Sequence, residues 1–179
     1  MSREAHVRFC EGPQVKLLRS THPYIETDEG WLYLAGVKDL FNGELVGYAM
    51  DERMTRSLVM QALFRAVVLR RPDKGLLHHS DRGSQYCSRD YQSLLEQFGM
   101  QASMSRKANC WDNAPMESFW GTLKTELVHH RRFASREQAR QEITEYIKIF
   151  YNRQRKQARL GYLSPASFRQ QYYTKQMTA

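Results

Sequence analysis

Two passages of the sequence place acids where they can do chemistry. Leu77 to Tyr86 reads LHHSDRGSQY, so Asp81 follows a short apolar stub, Leu76-Leu77, and precedes a helix-like run. Asn109 to Trp120 reads NCWDNAPMESFW, and thirty-five residues separate its Glu117 from Asp81. An acid at the carboxyl end of a strand sits where layered α/β folds bind ligands. A second acid near a helix start can swing toward the same crevice. Two or three such carboxylates can hold a pair of magnesium ions, which activates the attacking oxygen and stabilises the leaving oxygen in phosphodiester chemistry. Spacing alone leaves ordinary surface acids as the competing reading.

The remaining metal-ligand and redox candidates are weaker. His78-His79 and His129-His130 are adjacent pairs. They lack the i, i+4 spacing that puts two ligands on one helix face, and His79 reads better as support for the Asp81 loop. Cys10, Cys87 and Cys110 are scattered and form no C-x-x-C pair, which argues for reduced thiols over a disulfide framework or a zinc site.

Elements that position these acids can be read from periodicity. WLYLAGVKDLF from Trp31 is a nearly unbroken apolar run, as in a strand buried on both faces. Asn42-Gly43 signals a two-residue hairpin turn, with LVGYAM as the returning strand. MTRSLVMQALFRAVVLRR carries one broad apolar face and stops before Pro72. LLHHSD is a short strand ending at Asp81; Ser88 caps the helix SRDYQSLLEQF, which Gly99 closes, and MQASMS is the next strand. After the polar loop 105–113, Asn113 caps the helix PMESFWGTLKTELV, with Pro115 and Glu117 near its start. Ser135 caps REQARQEITEYIKIFYNRQR, whose buried stripe reads Ala139, Ile143, Tyr146, Ile147, Phe150 and Tyr151. RLGYLSPASFRQQYY follows as a tail. The order predicts α/β layers with a mixed sheet, one antiparallel edge and helices on both faces.

Composition sets the class of partner. The net charge is +8. Residues 1–122 carry fifteen Lys/Arg and fifteen Asp/Glu, whereas residues 123–179 carry twelve and four and supply the whole excess. A basic third suits a polyanion such as nucleic acid, with a solvated helix face as the alternative. No apolar run is long enough to span a bilayer, and the first residues lack the apolar centre of a signal peptide, so a cytoplasmic, non-membrane location is expected.

HSDRGSQY, NCWDNAPMESFWGTLK, YNRQR and LGYLSP, in that order, closely resemble the integrase-core transposases of bacterial insertion sequences. These belong to the DDE group of the ribonuclease H-like superfamily, and the resemblance covers roughly residues 24–172. It implies a ribonuclease H-like mixed sheet flanked by helices, with a helical C-terminal extension. It implies a transposase catalytic subunit that cleaves DNA and transfers strands at the ends of a mobile element, with Mg2+ or Mn2+. Asp81 then takes the role of the second catalytic and metal-binding acid and Glu117 that of the third. Arg82 is a phosphate-neutralising or simply solvated cation. Lys107 and Asn109 can reach phosphate or base edges, and Trp111 is a stacking platform or a core lid. Lys124, two helical turns after Glu117, is expected to contact DNA, and Arg153, Arg155, Lys156 and Arg159 to track phosphates. Implied partners are the element ends and target DNA, a helix-turn-helix partner or fusion from another reading frame, and further copies of the chain when active.

The resemblance breaks upstream. The family's first acid lies in a W-x-x-D-x-T-Y-like strand, and counting back from Thr27-Asp28-Glu29-Gly30-Trp31 puts that position on Thr21, followed by His22 and Pro23. The first strand is therefore expected to be shortened or displaced, since Pro23 cannot donate to a ladder. Asp39 is read as a strand-end carboxylate, not a substitute acid, and Asp28 and Glu29 as turn residues. The expected organisation is an unassigned segment 1–22, a core-like domain 23–172 and a tail 173–179. The expected function is that of a truncated, impaired transposase; the alternative is a non-catalytic DNA-binding remnant that modulates an intact one.

Overall fold

The computed structural model describes residues 17–18, 24–105 and 114–178. Six strands form one mixed sheet: β1 (Leu17–Leu18), β2 (Tyr24–Ile25), β3 (Leu32–Asp39), β4 (Leu45–Asp51), β5 (Leu77–Ser80) and β6 (Gln101–Met104). β1 and β2 lie antiparallel to β3. Leu17 pairs with Asp39 and Leu18 with Lys38, while Tyr24 pairs with Tyr33 and Ile25 with Leu32. β4 pairs with β3 antiparallel, and β1, β5 and β6 run parallel. The unpatterned segment before residue 23 thus contributes a central strand, two residues long.

Helices cover both faces. On one, α1 (Arg56–Arg70) and α2 (Arg89–Gln97) pack Leu58, Val59, Ala62, Leu63, Tyr91 and Leu95 against Ala35, Val37, Val46 and Ala49. On the other, α3 (Ala114–Glu126) and α4 (Arg136–Glu145) pack Met116, Phe119, Trp120, Ala139 and Ile143 against Leu32, Leu34 and Leu45. Thr55, Ser88 and Ser135 accept from N–H groups of the first turns of α1, α2 and α4, which fixes where each helix starts. α1 ends as expected before Pro72, with Arg71 left-handed at φ 45°.

Three expectations change. The hairpin between β3 and β4 is wider than a two-residue turn. Asp39 Oδ1 accepts the N–H groups of Phe41 (2.9 Å) and Asn42 (3.4 Å), and Asn42 Oδ1 accepts from Glu44 (2.8 Å), so side chains organise residues 40–44 together with the backbone bonds from Gly43 N–H to Asp39 O (2.7 Å) and from Asp39 N–H to Glu44 O (2.8 Å). The tail holds a helix, α5 (Pro165–Met177), capped by Ser164 and docked by Phe168 and Tyr172 on Phe41.

The third change is in the helix that follows Ser135. From Tyr146 to Gln154 it widens into π-helical turns, closed by Arg155 N–H donating to Phe150 O at 2.7 Å. A five-residue spacing then replaces the 3.6 period, and the buried positions become Tyr146, Ile147, Tyr151 and Asn152. Phe150, expected in the core, is 40% exposed. Asn152 takes the inward place and closes the edge of β4: Leu45 N–H donates to its Oδ1 at 2.9 Å, and its Nδ2 donates to Leu45 O at 3.0 Å. Asn152→Ala leaves both buried Leu45 groups unpaired and is expected to cost about 2–4 kcal/mol. Urea unfolding checks this as a lowered midpoint at unchanged slope.

Candidate functional site

Asp81 directly follows β5, at the carboxyl end of the parallel strands. The strand is fixed from both sides. His78 is fully buried, with Nε2 2.9 Å from the Tyr91 hydroxyl of α2. His79 lies between two β6-side hydroxyls, Nδ1 3.0 Å from Ser103 Oγ and Nε2 3.1 Å from Ser105 Oγ. Ser105 in turn donates its N–H to Ser80 O at 2.9 Å. His79 therefore supports the Asp81 strand end. Among the described residues no three His, Cys, Asp or Glu side chains form a metal-sized cluster.

The turn itself is tight. Asp81 is half-buried, and its Oδ1 accepts the Gly83 N–H at 2.7 Å. A Cβ at Gly83 would lie 2.8 Å from that same oxygen. Close approach to the carboxylate, and not a left-handed backbone, is what requires glycine here. Arg82 Nε donates to Ser105 O at 2.8 Å, which joins the exit of β6 to the Asp81 turn.

Glu117 is exposed in the first turn of α3, where the helix dipole favours an acid. Its helix is set on the sheet by Met116 and Trp120, whose atoms come so near Gly36 that a Cβ there would meet them at 3.2 and 2.8 Å. Lys38, only 5% exposed, donates from Nζ to Pro115 O at 2.9 Å, beside the Phe119 and Tyr151 rings. Burial, helped by Arg159 and Arg155, lowers the Lys38 amine to about 7. Pattern reading passed over this residue, although a lysine inside an apolar strand is itself a signal, because buried lysines need partners. Lys124 is half-buried with its Nζ 5.3 Å from the Tyr24 ring centre, and Tyr24 stacks edge-on with Trp31 at 4.8 Å.

The other expected contacts lie elsewhere. Arg153 is exposed by the β4 edge, three strand positions from β5, and Lys156 is exposed just after the π-helical turns. Arg155 Nε donates to both Glu126 oxygens at 2.8 and 3.0 Å, so it holds the far end of α3. Thr21, Lys107, Asn109, Trp111 and Asn113 fall outside the described residues.

Asp39 does not approach Asp81. It is level with Leu17 and, through Leu17, with His78. It therefore lies about 10 Å across the sheet and about 10 Å short of Asp81 along it. Burial raises its carboxyl to about 6, further helped by Glu44, against the lowering effect of the Phe41 and Asn42 N–H groups and Arg159. The folded state therefore holds this proton more tightly than the unfolded chain. Its contribution to stability is full below pH about 4 and is lost as pH rises through about 6. Asp39→Asn should remove that decline, so melting curves between pH 4 and 6.5 should show the variant gaining on the parent as pH rises.

Comparisons with known proteins bear on this geometry. An integrase core domain model matches residues 20–110, and a second integrase core domain model matches residues 117–173. The insertion element IS600 uncharacterized 31 kDa protein of Shigella sonnei is 61% identical over 150 residues, 84% of this chain and 55% of the relative. Transposase InsF for insertion sequence IS3A of Escherichia coli is 45% identical over 160 residues, 89% of this chain and 55% of the relative. The chain thus spans about half the length of these curated relatives. The trimeric HTLV-2 integrase catalytic core domain in complex with magnesium superposes with a TM-score of 0.65 at 12% identity, over 87% of this chain and 96% of that one. That likeness is one of fold, the ribonuclease H-like layering that the motifs implied. No helix among the described residues is long and apolar enough to cross a membrane.

Proposed function

The chain belongs to the integrase core family, and from that membership we propose that it is the catalytic core of an insertion-sequence transposase, acting on DNA at the ends of its element. The observation that carries the reading is Asp81 at the carboxyl end of β5, in a turn closed by Gly83, with Glu117 in the first turn of a helix anchored on the same sheet. Cleavage on this reading is an attack of a water oxygen on a phosphorus that releases a 3′ hydroxyl. Strand transfer is the attack of that hydroxyl on a target phosphodiester, with the displaced oxygen leaving the opposite side.

The carboxylate oxygens of Asp81 and Glu117 suit magnesium or manganese in kind. They fall short in number, because the family's first acid position holds Thr21. A divalent cation pair, when bound, would activate the entering oxygen and stabilise the leaving one. The residues' own part is to supply negative charge at fixed positions, and a neutral hydroxyl at position 21 supplies none. We infer that catalysis by this chain is impaired. Arg82 and Lys124, together with Lys107 and Asn109 from the segment outside the described residues, are the proposed DNA contacts. A helix-turn-helix partner or fusion and further copies of the chain complete the proposed assembly. Thr21 also favours a second reading, a non-catalytic DNA-binding form that modulates an intact transposase.

Strand cleavage of end-containing DNA with magnesium or manganese tests this, comparing the parent chain, Thr21→Asp and Asp81→Asn. Thr21→Asp is expected to cleave and the other two to stay at background. Cleavage by the parent that Asp81→Asn abolishes would refute the impairment. Background from all three, with DNA binding retained, would favour the second reading.

A further inference from the structure

A concavity of about 1140 Å3 lies at the outer edge of β4, at the opposite edge of the sheet from β5 and β6. Its walls come from α1, α4, the π-helical turns and α5. Arg65, Arg71, Arg140, Lys148, Arg153 and Arg169 line it, together with Arg70. One acid, Glu44, faces these seven cations, and it is buried and held by Arg70 and by Arg169 Nε at 3.5 Å.

Several of these cations are oriented before anything binds. Arg65 donates one N–H to Tyr48 O at 2.8 Å, and Arg140 donates one to Met50 O at 3.4 Å. A guanidinium has five N–H donors, so each anchored head keeps others for a ligand while its rotamer is already fixed. Lys148 and Arg153 stand exposed on the π-helical turns, five residues apart, which is the spacing that puts them on one side of the widened helix. β4 has seven residues, a reach of about 20 Å.

We propose that this groove binds the sugar-phosphate backbone of duplex DNA at a site separate from Asp81 and Glu117. The proposal rests on the DNA-acting reading above. A second copy of the chain would set seven cations against seven. A DNA backbone neutralises them, and guanidinium forks match phosphate geometry. Phe64, Val68 and Leu69, exposed on α1, supply an apolar wall for deoxyribose. The site also uses charges, Arg65, Arg71, Arg140, Lys148 and Arg169, that the run 153–159 does not contain.

Fluorescence anisotropy of a labelled mixed-sequence duplex, titrated with the whole chain at several salt concentrations, tests the groove without requiring cleavage. Lys148→Glu is compared with Lys74→Glu, an equal charge change at the exposed turn between α1 and β5. Lys148→Glu should weaken binding about tenfold and reduce the salt slope by about 1, whereas Lys74→Glu should stay within about twofold of the parent. Melting curves confirm that both variants fold. Equal weakening by the two variants would reduce the effect to net charge and overturn the site. So would a parent that binds duplex while Lys148→Glu binds it equally well, or sedimentation showing a parent dimer that Lys148→Glu separates. A parent that binds no duplex would remove the DNA-acting reading itself.

Discussion

The bond from Lys38 Nζ to Pro115 O is the constraint on which the rest of the candidate site depends. Among the described residues Glu117 has no buried partner of its own, so its position is that of the first turn of α3. That turn follows a segment outside the described residues, and its described anchors are the lysine beneath it and the Met116 and Trp120 side chains on Gly36. Burying an ammonium costs several kcal/mol unless it is paired. Here a helix-start carbonyl and the faces of Phe119 and Tyr151 offset that cost. The lowered Lys38 amine shows the offset to be incomplete, which is the expected sign for a charge held in place by position. The other end of α3 is held through Glu126, which accepts from the Tyr146 hydroxyl at 2.6 Å and from Arg155.

Closing the sheet edge uses the same stretch of chain. The β3–β4 register shifts between Val37 and Lys38, so Lys38 pairs with Leu45. Leu45 turns its N–H and C=O to Asn152, and Asn152 reaches them because the helix has widened to π geometry. Register shift, lysine and π turns thus meet at Leu45. The motif YNRQR reads as a phosphate-binding run, yet two of its residues have structural work here. Asn152 finishes the sheet and Arg155 secures α3, while Arg153 remains exposed at the edge groove.

Which features were legible in the sequence follows from how each is held. α1, α2 and the start of α4 were legible because local rules suffice: α1 carries one broad apolar face and stops before Pro72, and Ser88 and Ser135 are capping residues that need no distant partner. β3 was legible because both of its faces are buried, leaving a continuous apolar run. Motif words carried the ribonuclease H-like fold and the placement of Asp81 and Glu117. What escaped depends on long-range partners. The π turns invert Phe150 and Asn152 relative to a 3.6 period, for the sake of an edge 107 residues away. Lys38 bonds a carbonyl 77 residues on. The β3–β4 turn is organised by an acid and an amide whose roles emerge only once the chain has closed on them. α5 did carry a local signal, Ser164 before Pro165, which the periodicity reading of a tail passed over although the resemblance implied a helical C-terminal extension.

The supports around the candidate site also explain how a fold can persist where a carboxylate is absent. Asp81 is held by Gly83, His79 by Ser103 and Ser105, the end of β6 by Arg82, and α3 by Lys38 and Glu126. None of these contacts involves position 21. Carboxylates gathered for a divalent cation repel one another when the cation is away. On the proposed reading, threonine in place of one of three such acids removes repulsion from the metal-free fold while removing charge from the reaction. Stability and chemistry pull in opposite directions at that position. On the proposed reading, a chain with threonine there keeps the scaffold and the positions of Asp81 and Glu117, and the loss falls on the chemical step.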